Sequence, residues 1–347
     1  MGKQKSILIT GAASYWGMRV IKQLLTEPNL HVIGVDAVSP ENAPDKLDFV
    51  QADIRNPLLV DLLKAEHVNT VCHLAFTESR RRNEASFDLN VMGAMKVFGA
   101  AAEAGVRKVV YRSSTAVYGA EPQNPAFLTE QHPLHGSRKY GYTRYMVEIE
   151  EFCDGFRQQH PEMMLTTLRF ANIVGTTAVS PFTNLIKGKT TPILLGFDPM
   201  LQIIHEDDVV EALVHAILHD APGIYNIAAQ GIMPLTRILA LTSTLPVPIL
   251  HPVAYWSIRN LRGRFSPARL IPFDLDYLRY RWVVDTGKMQ NELDFSPQYT
   301  AEEALREYAG HKRRKTHPKS DDSLTFDEER LRDTLERRQR QKERSLS

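Results

Sequence analysis

The chain has 347 residues, 43% of them hydrophobic and 24% charged, enough apolar mass for a real core and the length of one large or two ordinary domains. That composition excludes an intrinsically disordered chain and a disulfide-stapled mini-protein. A formal net charge of +1 supplies no long-range field favouring nucleic acid or an acidic membrane, so no nucleic-acid partner is expected. The balance hides two unlike parts: His311 onward carries 12 basic and 8 acidic residues, leaving 30 and 33 in the first 310. Cys72 and Cys153 sit in apolar surroundings without metal-ligand spacing, which fits a reducing cytoplasm. The apolar run Ser6 to Thr10 is too short for a signal-peptide core, and no run of about 18 apolar residues occurs. The expectation is a soluble cytoplasmic protein.

The first 175 residues alternate short β-branched runs with longer helical patterns, the mark of βαβ units. Strands are expected at Ser6 to Thr10, His31 to Val35, Asp48 to Gln51, Thr70 to Leu74, Lys108 to Arg112 and Leu165 to Phe170. Helices are expected at Trp16 to Leu25, Pro57 to Ala65, Ala85 to Ala104 and Tyr140 to Gln159. The connection rule then gives an α/β fold with a right-handed, doubly wound parallel sheet, Rossmann-like, over residues 1–175. Beyond Gly175 the alternation loosens, with a helix from Glu206 to Leu218 and a strand at Ile224 to Ile227. Residues 176–310 read as remaining core elements and a small substrate cap over the sheet's carboxyl edge. Within it, 251–282 mixes aromatic residues with arginines: an aromatic cap core with snorkelling arginines is the favoured reading, a substrate lid or membrane-surface patch the alternative. Residues 311–347 read as a charged, flexible tail in which Leu331 and Leu335 are too few for a coiled coil.

The first strand runs into Thr10-Gly11-Ala12-Ala13-Ser14-Tyr15-Trp16-Gly17 and opens a helix, the spacing of a dinucleotide loop. Gly11 permits the tight turn, Gly17 lets helix and sheet approach, and the helix N-terminus faces the pyrophosphate. Ser14 stands where a second glycine is usual. Asp36, 25 residues after Gly11, ends the second strand; a carboxylate there accepts from both ribose hydroxyls and repels a 2′-phosphate, favouring NAD over NADP. Asp53 and Ile54, after the third strand, are candidates for the adenine amino group, though a turn acid is the plainer reading of Asp53.

After the fifth strand comes Arg112-Ser113-Ser114-Thr115-Ala116-Val117-Tyr118-Gly119, and 26 residues past Ser114 a helix is expected to begin at Tyr140. Four residues on, Arg144 shares that helix face, so a cation would stabilise the phenolate form of Tyr140. Ser114 would hydrogen-bond the substrate oxygen that Tyr140 protonates or deprotonates. His205-Glu206-Asp207-Asp208 looks metal-binding in isolation, but its spacing caps the helix that follows, and no metal is expected. Arg80-Arg81-Arg82 reads as a solvated charge run, with an anion grip as its alternative.

With these motifs in order, together with Ala52-Asp53-Ile54-Arg55, His73-Leu74-Ala75, Asn90-Val91-Met92-Gly93, Leu168 to Gly175, Tyr225-Asn226-Ile227 and Val284-Asp285-Thr286, the sequence resembles the extended short-chain dehydrogenase/reductase family. The likeness is to its NAD-dependent epimerase/dehydratase branch and covers roughly Lys5 to Tyr308. The resemblance implies a catalytic Tyr140 with Ser114 positioning the substrate, and hydride exchange between a nicotinamide and the adjacent carbon. It implies cofactor contacts from Gly11, Ser14, Tyr15, Trp16, Gly17, Asp36, Asp53, Ile54, Leu74, Ala75, Tyr140 and Arg144, and substrate contacts from Ser114, Thr115 and Asn172. His73 is expected to be structural, and Asn90 to brace the sheet. The family carries lysine where this chain has Arg144, a change of hydrogen-bond geometry. The activity implied is an NAD-dependent oxidoreductase or epimerase on a secondary alcohol or ketone, foremost a nucleotide sugar. A sterol or lipid-like hydroxy compound is the alternative substrate, and an NAD-binding sensor or assembly protein with impaired catalysis is the alternative function. Helices 85–104 and 140–159 are the expected homodimer surface by the same resemblance.

Overall fold

The computed structural model describes residues 5–78, 83–137, 140–260, 273–316, 331–340 and 342–343. Seven parallel strands form the central sheet: β1 Lys5–Thr10, β2 Leu30–Asp36, β3 Asp48–Gln51, β4 Val68–His73, β5 Lys108–Ser114, β6 Met164–Phe170 and, later in the chain, Gly223–Ile227. The last of these follows β7 Asn172–Val174, β8 Thr190–Leu194 and β9 Met200–His205 and is therefore β10; β11 Ile232–Pro234 and β12 Leu245–Ile249 complete the set. The sheet order is β10-β6-β5-β4-β1-β2-β3, reversing direction beside β1 as a doubly wound sheet does. Because β10 pairs with β6 from Gly223↔Thr166 to Ile227↔Phe170, the second half of the chain completes the first half's sheet. The remaining strands form two small sheets, β11-β9-β7 and β12-β8.

Helices α1 Tyr15–Leu24, α2 Leu59–Ala65, α3 Glu84–Phe87, α4 Gly93–Glu103, α5 Gly141–Gln159, α6 Pro181–Ile186, α7 Glu206–Leu218, α8 Leu235–Leu241, α9 His251–Asn260, α10 Gly287–Asn291 and α11 Ala301–Thr316 surround and extend this core. The β-branched runs explain the strands: Ile7, Ile9, Val32, Ile33, Val71, Val109 and Val110 are all buried. Two expectations are corrected. The helix expected from Ala85 to Ala104 is broken by a π turn at Asp88–Met92, because the Asn90 side chain is drawn to the chain after β4. Its Nδ2 donates to Thr77 O at 2.9 Å and its Oδ1 accepts from Thr77 N at 2.8 Å, so Asn90 holds that loop rather than bracing the sheet. The helix expected from Tyr140 begins at Gly141, with Tyr140 extended at its N-cap (φ −99°, ψ 129°).

Residues past 310 are not all detached. Helix α11 runs on to Thr316, and Lys312 Nζ donates to Ile186 O, Gly188 O, Thr242 O and Thr244 Oγ1, satisfying carbonyls at the ends of α6 and α8. A helix at 331–340 lies against α11 through Arg340 with Glu303 and Arg306 with Asp333, while Arg337 sits over the Tyr299 ring. Leu331 and Leu335 face solvent, so the contact is ionic rather than a coiled-coil seam.

Under the carboxyl edge of the sheet lies a buried ion pair between Arg169 of β6 and Glu150 of α5, both 2% exposed. Arg169 Nη1 also donates to Tyr118 Oη at 2.6 Å and Glu130 O at 3.1 Å, and Ser113 of β5 donates to Glu150. Tyr118 passes the chain on to Asn226 of β10 at 2.7 Å, and the Asn226 N–H reaches Glu130 Oε1 at 2.9 Å. Breaking such a pair from one side strands a charge in the interior. Glu150→Ala should lower the unfolding free energy by about 3–5 kcal/mol, read as a fall in urea midpoint; a change below about 1 kcal/mol would show that the pair is not holding the core.

Candidate active site

The glycine loop follows from steric need. Gly11 has φ +71°, and a Cβ there would lie 2.6 Å from Ala75 N; one on Gly17 would lie 2.1 Å from Gly11 O. The loop therefore nests against the β4 exit and against α1 at distances only hydrogen allows. Ser14 N-caps α1, its Oγ accepting from Gly17 N at 3.0 Å, while the N–H groups of Tyr15 and Trp16 belong to the first turn, which has no intrahelical acceptors. Asp36 stands beside this loop, with Oδ2 accepting from Ala13 N at 3.0 Å and Oδ1 from Val38 N at 3.2 Å. Loop, helix end and carboxylate fit the adenosine and pyrophosphate half of a dinucleotide.

Other expected cofactor residues have different first duties. Tyr15 donates to Glu206 of α7 and exchanges a 2.7 Å hydrogen bond with Thr177, so its side chain ties α1 to α7. Asp53 accepts from Arg55 N at 2.8 Å and Nε at 2.9 Å; hydrogen bonds from Arg55 hold its carboxyl down at about 2. Ile54 and Leu74 are buried, and Ala75 backs the Gly11 turn. His205 Nδ1 accepts from Asp207 N at 3.2 Å, and Glu206, Asp207 and Asp208 open α7, so that acidic run is a helix start.

A cleft over the carboxyl ends of β5 and β6 collects residues from distant parts of the chain. Trp16 lines it from α1, Ser114 from β5, Tyr140 from the α5 N-cap, Asn172 from β7, and Phe273, Tyr277 and Trp282 from the cap. Tyr277 Oη donates to Ala116 O at 2.6 Å, so 273–282 contributes to the cleft wall while 251–260 does not line it; residues 261–272 lie outside the described residues, as do Arg80, Arg81 and Arg82. Thr115 is buried in the turn after β5 and does not line the cleft. Asn172 presents its side chain there while donating to Gln202 O at 2.9 Å.

Arg144 departs from expectation. With Tyr140 extended at the N-cap, the two are not successive turns of one helix face; they are joined by the backbone bond Arg144 N to Tyr140 O, 3.0 Å. The Arg144 guanidinium pairs with Glu148, Nε to Oε1 at 2.6 Å, and does not line the cleft. Among the cleft residues that escaped the sequence reading, Tyr142, Glu78 and Arg112 are ionisable. Tyr142 is hydrogen-bonded to Ser114, and burial, reinforced by Glu78 and opposed by Arg112, pushes its phenol up to about 12. Glu78 is open to solvent at the cleft mouth, yet enough protein surrounds its carboxyl for desolvation to raise its pKa, with Arg112 pulling the other way. Alternation along β5 was the available signal for Arg112, since it shares a face with Ser114.

Residues 7–228 match the NAD dependent epimerase/dehydratase family. The chain belongs to this family. An uncharacterized protein of Mycobacterium tuberculosis is 32% identical over 313 residues, 88% of this chain and 83% of its own length. The UDP-glucose 4-epimerase of Mycolicibacterium smegmatis is 31% identical over 231 residues, 60% of this chain and 72% of that protein. The crystal structure of Thermus thermophilus UDP-glucose 4-epimerase in complex with NAD superposes with a TM-score of 0.67 at 20% identity, covering 89% of this chain and 99% of that one. The shared architecture is that of the family member's fold, with the seven-stranded parallel sheet at its centre.

His73, at the β4 exit, is a structural residue. Thr10 Oγ1 accepts from Leu74 N at 3.2 Å and Ala75 N at 3.4 Å, so its own proton goes to His73 Nδ1, 2.8 Å away. Burial depresses the imidazole to about 4. The unfolded chain, with an ordinary histidine, takes up a proton first, so this contribution is complete above pH ~6.5 and is lost as pH falls through ~4. Roughly 3 kcal/mol should disappear across that window, measured as urea midpoints against pH, and His73→Asn should flatten the slope. An unchanged slope in the variant would assign the acid lability elsewhere.

Proposed function

We propose that the protein is an NAD-dependent oxidoreductase or epimerase acting at a secondary alcohol or ketone of a nucleotide sugar. The observation that carries this reading is the meeting of Ser114 and Tyr140, from separate elements, in a cleft that reaches Trp16 at the start of α1. The family assignment and the NAD-bound structural neighbour support the same cofactor. Gly11, Gly17, the first-turn N–H groups of α1 and the Asp36 carboxylate would hold it, Asp36 disfavouring a 2′-phosphate. When bound, the nicotinamide supplies a hydride acceptor and donor.

The chain's own residues then do the proton work. Ser114 hydrogen-bonds the substrate oxygen, and Tyr140 takes the hydroxyl proton on oxidation and returns it on reduction. Phe170, Phe182, Tyr277 and Trp282 wall the cleft, excluding water and strengthening those hydrogen bonds. A second reading, an NAD-binding protein with impaired turnover, is favoured by the Arg144–Glu148 pair, which engages the cation that the family pattern places beside the tyrosine.

NAD binding and turnover separate the two. Purified protein should bind NAD more tightly than NADP by calorimetry, and Asp36→Ala should erase most of that preference. With UDP-glucose, UDP-galactose and a hydroxysteroid as substrates, Tyr140→Phe should cut turnover by about 10²–10⁴ while leaving NAD affinity within about twofold. Binding without turnover on every substrate would favour the second reading, and turnover indifferent to Tyr140→Phe would refute the proton role.

A further inference from the structure

Arg112 is 6% exposed and lines the cleft. Among the described residues its guanidinium makes no hydrogen bond and no ion pair; its charge is met by the face of Trp16, 5.4 Å from the ring centroid, and at longer range by Glu78. A guanidinium without a close protein partner leaves its charge and its donors to whatever enters the cleft. Its five N–H donors form a fork shaped for a pair of anionic oxygens. The other long buried cations among the described residues do have partners: Arg169 has Glu150, and Lys108 has Ala216 O and His219 O. Arg112 is the one among these turned into the cleft.

Position gives it a substrate rather than a surface. Arg112 and Ser114 lie two residues apart on β5, hence on the same face and roughly 7 Å apart along the strand. Ser113, between them, points the other way into Glu150. On the adjacent strand, Leu168 lies beside Arg112 and Phe170 beside Ser114, so the guanidinium works in apolar surroundings where a charge-assisted pair is strong.

Resting on the nucleotide-sugar reading above, we propose that Arg112 is a specificity-determining residue that binds an anionic group of the substrate, a carboxylate or a phosphate, within reach of Ser114. A carboxylate would make the substrate a uronate-type sugar; a phosphate would mean that the diphosphate itself enters this end of the cleft.

Calorimetry on the full chain with NAD present, in a Tyr140→Phe background so that no chemistry intervenes, tests this with UDP-glucuronate, UDP-glucose and UDP. Arg112→Gln should weaken UDP-glucuronate at least tenfold. A selective loss, sparing UDP-glucose, identifies the carboxylate; an equal loss for all three identifies the phosphate. Arg112→Lys, which keeps the charge without the fork, should fall between. Unchanged affinity for all three, or weakening of NAD alone, overturns the proposal. Should no nucleotide sugar bind, an Arg112-dependent thermal upshift with malonate still upholds the anion site although the nucleotide-sugar reading has failed, and absence of that upshift overturns both. Arg112→Gln should unfold within a few degrees of the parent, since no hydrogen bond or ion pair of the described residues is lost; a marked drop in melting temperature with unaltered binding would make Arg112 a packing residue.

Discussion

The Arg169–Glu150 pair is the constraint on which the cleft's geometry depends. It lies where β5, β6, β10 and α5 come together, and every group around it uses its hydrogen-bonding capacity on another: Ser113, Tyr118, Glu130 and Asn226 close the circuit. Two ions this deep are tolerated because their remaining donors and acceptors are satisfied. In return the circuit fixes the relative height of four elements, of which only α5 and β6 are joined by a short loop, residues 160–163. Asn226 extends it by donating to Leu128 O and Asp285 O, so the segments around residues 128 and 285 are held to the same edge.

That circuit determines where the reacting groups stand. Alternation on β5 means that anchoring Ser113 inward commits Ser114 outward to the cleft. Glu150, anchored near the middle of α5, sets the axial position of that helix and hence of its first residues, where Tyr140, Tyr142 and Thr143 line the cleft. A second clamp works on the cofactor side. Tyr15 of α1 and the Thr177 loop converge on Glu206 of α7, and Arg19 adds an ion pair to Asp207. Gly175 is required by that clamp, since a Cβ there would fall 2.1 Å from the Glu206 carboxyl carbon. The buried circuit thus bears on the β5 and α5 residues of the cleft, and this partly exposed clamp on α1, from which Trp16 lines it.

Strands and crossover helices were legible because β-branched runs and amphipathic stretches are local signals, and β1 to β6, α1, α2 and α5 lie within about two residues of their expected bounds, whereas the single helix expected from Ala85 to Ala104 is three segments. The parts that were not legible depend on contacts between distant residues. The π turn at Asp88–Met92 exists because Asn90 reaches Thr77, which no helical periodicity encodes. Tyr140 reads as helical by spacing, but the chain turns into α5 only after it. The SSTAVYG, LRF and YNI runs read as reaction-centre motifs, yet Ser113, Tyr118, Arg169 and Asn226 spend their side chains on the buried circuit, while Ser114 and Phe170 line the cleft. The charged C-terminal stretch looked featureless because its ties, Lys312 to four oxygens and Arg340 to Glu303, are polar contacts with residues far away in sequence.

The cations around the reacting centre are distributed in an unusual way. The position four after Tyr140 holds an arginine whose charge is matched by Glu148 one turn later, so its field at the cleft is that of a dipole and falls off quickly. Arg112 brings to the cleft a positive charge that no ion pair among the described residues matches, with Glu78 and Tyr142 lining the same cleft. The local field is therefore set by one arginine and one carboxylate whose effects on the phenol oppose each other. Whatever neutralises Arg112 strengthens the influence of Glu78 and of burial, both of which favour the protonated phenol. An anion on Arg112 would thus supply the partner that the described residues do not give this guanidinium. Recognition of that anion would take place two residues along the strand from Ser114, the hydroxyl that would meet the substrate oxygen.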